Sequence, residues 1–267
     1  MMNAMTLLSW IAALGISAAV SASAQDMMRH VDLASPDMVS AEMTRAEVEQ
    51  ALAAGSSANP VDFTGQRLSG LDLSGLDFSG ATLRAARLNK TRLAGARLDR
   101  AVLDQAWMLE ADLSRASLKG ASLFATQMQR AKLDAADLTG ARVAADLTGA
   151  SLAGATLAGA TLGADMRNQS MGLMRAVLKS ANLQGADLRN ADLSRTDLEF
   201  ASLRNADLSG ASLKGAALGG ADLSGATVTG TDFFGADLVS AKLIAPVGLD
   251  AAKNLDKAQN LQRAVRE

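Results

Sequence analysis

The chain has 267 residues, 26 basic against 28 acidic, and a net charge of −2. So even a balance argues against a broad nucleic-acid-binding surface and equally against a strongly acidic DNA mimic. With no cysteine there can be no disulfide, thiol nucleophile or zinc–thiolate site, and a single histidine, His30, leaves little for acid–base catalysis.

The N-terminus reads as an export signal. Leu7 to Val20 is an apolar stretch interrupted by Ser9, Gly15 and Ser17, and Ala22-Ser23-Ala24 is an A-x-A cleavage site, so residues 1–24 are expected to be removed near Ala24. One element departs from that pattern: no Lys or Arg precedes Arg29. The alternative is an uncleaved anchor, but the apolar span falls short of the ~20 residues that cross a bilayer. Residues 25–43 are polar and irregular, which predicts a flexible leader, and His30 there reads as a solvated side chain. Thr44 and Glu47 form a capping box and Gly55 a stop, so residues 44–60 read as a short cap helix and its connector. Val48, Leu52 and Ala51 would turn toward the first coil of whatever follows.

From Phe63 an apolar residue returns every fifth position, through Leu68, Leu73 and Phe78 to Val143, and again from Leu178 to Leu243. A period of five fits neither a helix nor a strand, but it fits a chain that turns one corner per repeat. The position two before each leucine is small, usually alanine, and the residue between them is usually polar, as at Asp72, Arg87 and Asp112. Small-in, polar-out, large-in is a very short strand, and the Ser-Gly and Ala-Gly pairs between are corner chemistry. Four such sides would close one coil. Residues 61–245 then make about nine coils and a rod about 45 Å long at the ordinary inter-strand spacing. The lumen is filled by leucine and alanine and is a core, with no cleft.

The beat slips once. After Val143 the next core position is Leu147, followed by Leu152, Leu157 and Leu162; residues 163–174 lose the pattern, and Leu178 restores the original register. One deletion and one insertion cancel, which predicts a bulged loop or corner distortion without a break between domains. Beyond Pro246, Leu249, Leu255, Ala258, Leu261 and Val265 recur at loosely helical spacing, so residues 246–267 read as a C-terminal cap helix.

The motifs A-D-L-S-R at 111–115, A-D-L-T-G at 136–140, A-N-L-Q-G at 181–185 and A-D-L-S-G at 206–210 and 221–225 resemble the pentapeptide-repeat family. That resemblance implies an all-β, right-handed quadrilateral β-helix with short capping helices at both ends. It also implies, for some members, a dimer interface at the C-terminal end.

The chain's chemistry-bearing residues are few. Its aspartates fall on outward positions, where they aid solubility. Met166, Met171 and Met174, with Met27, Met28 and His30 in the leader, are soft ligands of the type that suits copper, or simply gap-fillers. The clearest surface asymmetry is basic: Arg84, Arg87, Lys90, Arg92, Arg97 and Arg100 face one nearby acid, Asp99, and Trp107 lies one coil beyond Arg87 on the same face. Arg84 is also expected one coil from Phe124. Arginine beside an exposed ring is the composition of interface anchors, so Arg84, Arg87, Arg92, Arg97 and Trp107 form the candidate partner surface. The competing reading pairs the arginines with Asp72, Asp77 and Asp112 on neighbouring coils. No catalytic residue, cofactor or metal site is expected. The sequence therefore reads as a non-enzymatic scaffold, exported to the periplasm or beyond, that presents rigid faces to a protein partner of the envelope. The alternatives are a cytoplasmic topoisomerase-binding DNA mimic and a metal- or ligand-binding envelope protein.

Overall fold

A computed structural model describes residues 31–56, 58–164 and 174–266. The chain divides after Asp32, and the unit described here runs from Leu33. The expected signal segment, residues 25–30 of the leader with Met27, Met28 and His30, and Met166 and Met171 lie outside the described residues.

The repeats coil into a right-handed, four-sided β-helix. The outward residue of each side pairs in parallel with its counterpart one coil on, most often twenty positions along the chain, as in Asp72↔Arg92↔Asp112. We number the four faces by their first outward residues: face 1 from Asp62, face 2 from Arg67, face 3 from Asp72 and face 4 from Asp77. Each side carries two inter-coil hydrogen bonds: Leu93 N donates to Asp112 O at 2.6 Å and Asp112 N to Thr91 O at 3.0 Å. Corners close by a turn, as in Ala96 N to Leu93 O at 3.0 Å. Gly95 supplies the positive φ of 64° that the third position of that turn requires.

The alternation places leucine and alanine inside because only one large side chain per side fits across the lumen. Leu98, Leu113, Leu133 and Leu188 are fully buried, and so are Ala96, Ala111, Ala131 and Ala186. Where threonine takes the small position its hydroxyl must find an acceptor. Thr91, Thr126 and Thr231 are fully buried, and they donate to Leu68 O, Leu103 O and Leu208 O at 2.9, 2.9 and 2.7 Å.

At the N-terminal end, α1 spans Pro36–Val39 and α2 spans Arg45–Ala54. Thr44 and Glu47 make the reciprocal capping box of α2, and Val48 turns into the core of the solenoid, with Ala51 and Leu52 packed against it. Residues 36–43 differ from the flexible leader predicted there. Met38 is buried, and Ala41 bridges antiparallel to Leu68 on the open edge of the first coil. An uncovered first coil would leave backbone donors and acceptors bare, and this segment satisfies part of that edge.

The slip in the beat falls on the corner between faces 1 and 2 in two successive coils. In the first coil the corner is one residue short, so Gln127 pairs with Asp146; in the next, Asp146 pairs with Val177 across the insertion. Ala176 N donates to Leu162 O at 2.9 Å, the same bond that closes an ordinary corner. The extra residues therefore enter within one turn and the coil continues; residues 165–173 lie outside the described set.

The C-terminal end corrects the predicted cap helix of 246–267. No α-helix forms there among the described residues. Three 3-10 turns, Leu249–Ala251, Leu255–Lys257 and Leu261–Arg263, form the corners of a final coil whose sides are six residues long. Val247, Lys253, Gln259 and Val265 continue faces 4, 1, 2 and 3. The turns are entered through left-handed residues Gly248, Asn254 and Asn260. Leu249, Leu255 and Leu261 with Ala252, Ala258 and Ala264 pack, partly exposed, on the core below. Each side has gained one corner residue, so inward positions recur at a step of six where the repeats use five.

Candidate functional site

Because only residues one full coil apart stack, the basic collar is divided among faces. Arg87 and Trp107 are adjacent on face 2, Arg92 lies on face 3, Arg97 on face 4, and Arg84 at the corner between faces 1 and 2. The structure thus brings together two of the five candidate residues, Arg87 and Trp107. Arg84 stacks below Asp104, which stacks below Phe124, so Arg84 and Phe124 are two coils apart rather than one. It is Arg142 that lies over the Phe124 ring, 5.3 Å from its centroid.

Three of the arginines have carboxylate partners. Arg92 Nη2 is 2.8 Å from Asp72 Oδ2, and Arg84 Nη2 is 3.7 Å from Asp104 Oδ2. Arg97 reaches Asp77 and Asp99, each at 3.7 Å. The hydrogen bond from Arg92, with that from the Ser74 hydroxyl, holds the Asp72 carboxyl well below the usual aspartate range. These guanidinium groups are exposed, so the pairs are solvated and each contributes little.

Arg87 is different. It is half-buried and makes no ion pair among the described residues. Its Nη1 reaches Gly65 O at a long 3.4 Å, and its Nε is buried without a hydrogen-bond partner. Trp107 sits directly above it, half-exposed, fixed by Trp107 N to Ala86 O at 2.9 Å and Leu88 N to Trp107 O at 2.6 Å. Below it on the same face Arg67 is occupied: Nη1 pairs with Asp37 at 2.6 Å and Nη2 with Glu42 at 3.3 Å.

Among the described residues, the remaining aromatic side chains outside the core border this same face. Phe124 and Phe234 occupy the corner between faces 1 and 2, and Phe200 the corner between faces 2 and 3. Phe200 is 63% exposed and Phe234 53%. The Phe200 ring lies over Gly220, where an added Cβ would meet it at 2.6 Å, and Lys179 Nζ stands 6.0 Å from its centroid. Sequence reasoning missed Phe200 and Phe234. Counting in twenties from the outward positions of face 2 assigns both to its margins.

Further along face 2, Asp146 is buried and fully engaged. Its Oδ1 accepts from Thr148 N and Oγ1 at 2.9 and 2.6 Å, and Oδ2 accepts from Gln129 Nε2 at 2.7 Å. No face carries an unbroken run of carboxylates. On face 4, Asp187 and Asp207 stack, but Arg189 reaches both, at 2.7 and 3.8 Å, and Arg97 interrupts the acids nearer the N-terminus. Among the described residues no helix is long and apolar enough to cross a membrane.

A family model described as pentapeptide repeats matches eight copies, over residues 49–140 and 173–244, more than half of the chain. Among solved structures the chain is similar to HetL, a pentapeptide repeat protein involved in heterocyst differentiation regulation in the cyanobacterium Nostoc sp.. Identity is 31% over 84% of this chain and 95% of that one, with a TM-score of 0.42. QnrB1, a plasmid-mediated fluoroquinolone resistance protein, matches at 20% identity over 76% of this chain and 85% of that one, with a TM-score of 0.48. A pentapeptide repeat protein of the Arabidopsis thaliana thylakoid lumen matches at 22% identity over 65% and 68%, with a TM-score of 0.12. No curated protein matches.

Proposed function

Because the chain belongs to the pentapeptide-repeat family, we propose that it is a non-enzymatic interaction module, exported and then held against a protein partner of the envelope through face 2. The observation that carries this reading is the Arg87–Trp107 pair: a half-buried guanidinium without a carboxylate, under a half-exposed indole, on a rigid flat wall. Arginine and tryptophan are the residues most often found at the energetic centre of interfaces. A solenoid holds them in place without ordering cost at the moment of binding. Export is supported by the apolar stretch 7–20 and the Ala22-Ser23-Ala24 site. In the same reading a second copy would meet the chain at its last coil, where Leu249, Leu255 and Leu261 stay partly exposed.

The test is site-specific cross-linking in intact cells. A photoreactive phenylalanine analogue replaces Trp107 on face 2, and in separate chains Lys132 on face 3 and Asp137 on face 4. A discrete adduct from position 107, absent from positions 132 and 137, is the expected outcome. Equal labelling from every face, or none from any, contradicts the proposal.

A further inference from the structure

We propose that the Arg87–Trp107 patch takes a short acidic peptide segment carrying an unbranched or aliphatic apolar side chain between its carboxylates. This names the partner chemistry of face 2 and rests on the interaction reading above. The same face already holds such a segment one coil lower.

Residues 36–42 of this chain, P-D-M-V-S-A-E, are seated on the beginning of face 2. Asp37 and Glu42 both pair with Arg67, at 2.6 and 3.3 Å. Between them Met38 is buried, and its carbonyl accepts from Asn89 Nδ2 at 3.0 Å. Glu42 N donates to Arg67 O at 2.9 Å and Arg67 N donates to Glu42 Oε1 at 2.8 Å. The wall thus recognises acid, apolar side chain and backbone together.

Arg87 is the equivalent of Arg67 one coil along, joined to it by the Arg67↔Arg87 bridge. It repeats the cation without the acids. Asn89, at the corner beside it, already has both ends of its amide engaged, to Met38 O and from Leu109 N at 3.0 Å each. The chain's own segment thus reaches the coil of Arg87 at Asn89, while its two carboxylates stay on Arg67. Above it Trp107 offers a ring face for an apolar side chain, and its indole N–H makes no hydrogen bond among the described residues.

Charge complementarity selects acid over base. The corner cations on either side each have a carboxylate within 4.0 Å, Arg84 with Asp104 at 3.7 Å and Lys90 with Glu110 at 4.0 Å, the latter shared with Arg130, whereas Arg87 has none. A carboxylate delivered to a partly desolvated guanidinium makes one of the stronger polar contacts available to a protein. One such cation is too little for a polyanion such as nucleic acid, whose binding sums over many phosphates.

The experiment uses the full chain and a fluorescein-labelled peptide of residues 33–43, L-A-S-P-D-M-V-S-A-E-M, read by anisotropy. The peptide is expected to bind, and Arg87→Glu and Trp107→Ala are each expected to weaken it by roughly tenfold or more. Arg97→Glu on face 4 is expected to leave it unchanged. A peptide with Asn and Gln in place of its Asp and Glu is expected to bind as weakly as the variants allow. Far-UV spectra and melting of each variant confirm that the solenoid is intact. Binding that survives Arg87→Glu but is lost in Arg67→Glu is exchange with the chain's own segment and overturns the proposal. Equal binding of the neutral peptide overturns the chemistry. No peptide binding, alongside a discrete adduct from position 107, overturns this inference alone; no adduct from any face overturns the interaction reading beneath it as well.

Discussion

Leu133→Asp is expected to unfold the middle of the solenoid. Leu133 is fully buried, with coils stacked on both sides of it. Removing a buried leucine and leaving its space costs about 2–5 kcal/mol. Placing a carboxyl there adds a desolvation cost of several kcal/mol even when the group takes up a proton. The lumen offers little relief, because the small inward positions are alanine or a threonine whose hydroxyl already has an acceptor. The sum approaches the whole stability of an ordinary domain, about 5–15 kcal/mol. Since each coil is supported by its neighbours, the loss spreads along the stack. Soluble yield and the far-UV spectrum read it directly. Lys132→Asp, one position earlier and exposed, moves the same charge to the outside and is expected to shift stability within about 0.5 kcal/mol. If both variants fold alike, the inward–outward alternation is wrong.

Ending the chain at Ala245 is expected to cause aggregation and a large loss of stability. The final coil supplies the partners of the coil beneath: Val228 N to Val247 O at 2.9 Å, Phe233 N to Lys253 O at 2.9 Å, Leu238 N to Gln259 O at 3.0 Å and Leu243 N to Val265 O at 2.7 Å. Asn254 and Asn260 also donate to Asp232 and Asp237, at 2.8 and 2.7 Å. Without that coil, Phe233, Leu238 and Leu243 face water and a row of strand edges lies open, the arrangement that pairs with other chains. Losing the packing of Leu249, Leu255 and Leu261 alone costs on the order of 5 kcal/mol. Sedimentation velocity and the urea midpoint check the outcome. A truncated chain that stays monomeric with an unchanged midpoint would show that the six-residue coil is decoration.

The five-residue beat made the solenoid legible because every side from Phe63 to Leu243 obeys one geometric rule. The ends obey others. At the C-terminus Leu249, Leu255 and Leu261 step by six, as do Ala252, Ala258 and Ala264. Read with a helix in mind, Leu255, Ala258 and Leu261 look like one apolar face, and the left-handed Gly248, Asn254 and Asn260 that mark three corners pass unnoticed. At the N-terminus Asp37, Met38 and Glu42 find their partners in Arg67 and Asn89, far along the chain, and no local pattern announces such contacts.

The candidate surface was legible in part. Twenty-residue spacing placed Trp107 over Arg87, and the same rule separates Arg87, Arg92 and Arg97 by one face each. It also sets Arg92 over Asp72 and Arg97 over Asp77, so the pairings that neutralise two of the three follow from the same count. What spacing could not give is depth. That Arg87 is half-buried, with its Nε unpartnered, depends on how the segment 36–43 and the corners beside it pack.

The placement of every face depends on Asp146 and Val177 being one coil apart although 31 positions separate them in the chain. Pulsed electron resonance between spin-labelled cysteines on face 4 tests this, and the cysteine-free background leaves no competing thiols. Asp77→Cys is paired in turn with Thr156→Cys, Asp187→Cys and Thr227→Cys. The account predicts separations of about 19, 24 and 34 Å, growing by about 4.8 Å per coil, with the insertion between 156 and 187 adding a single coil's rise. A jump of 10 Å or more between the first two pairs, or distances that do not rise with coil number, would contradict it.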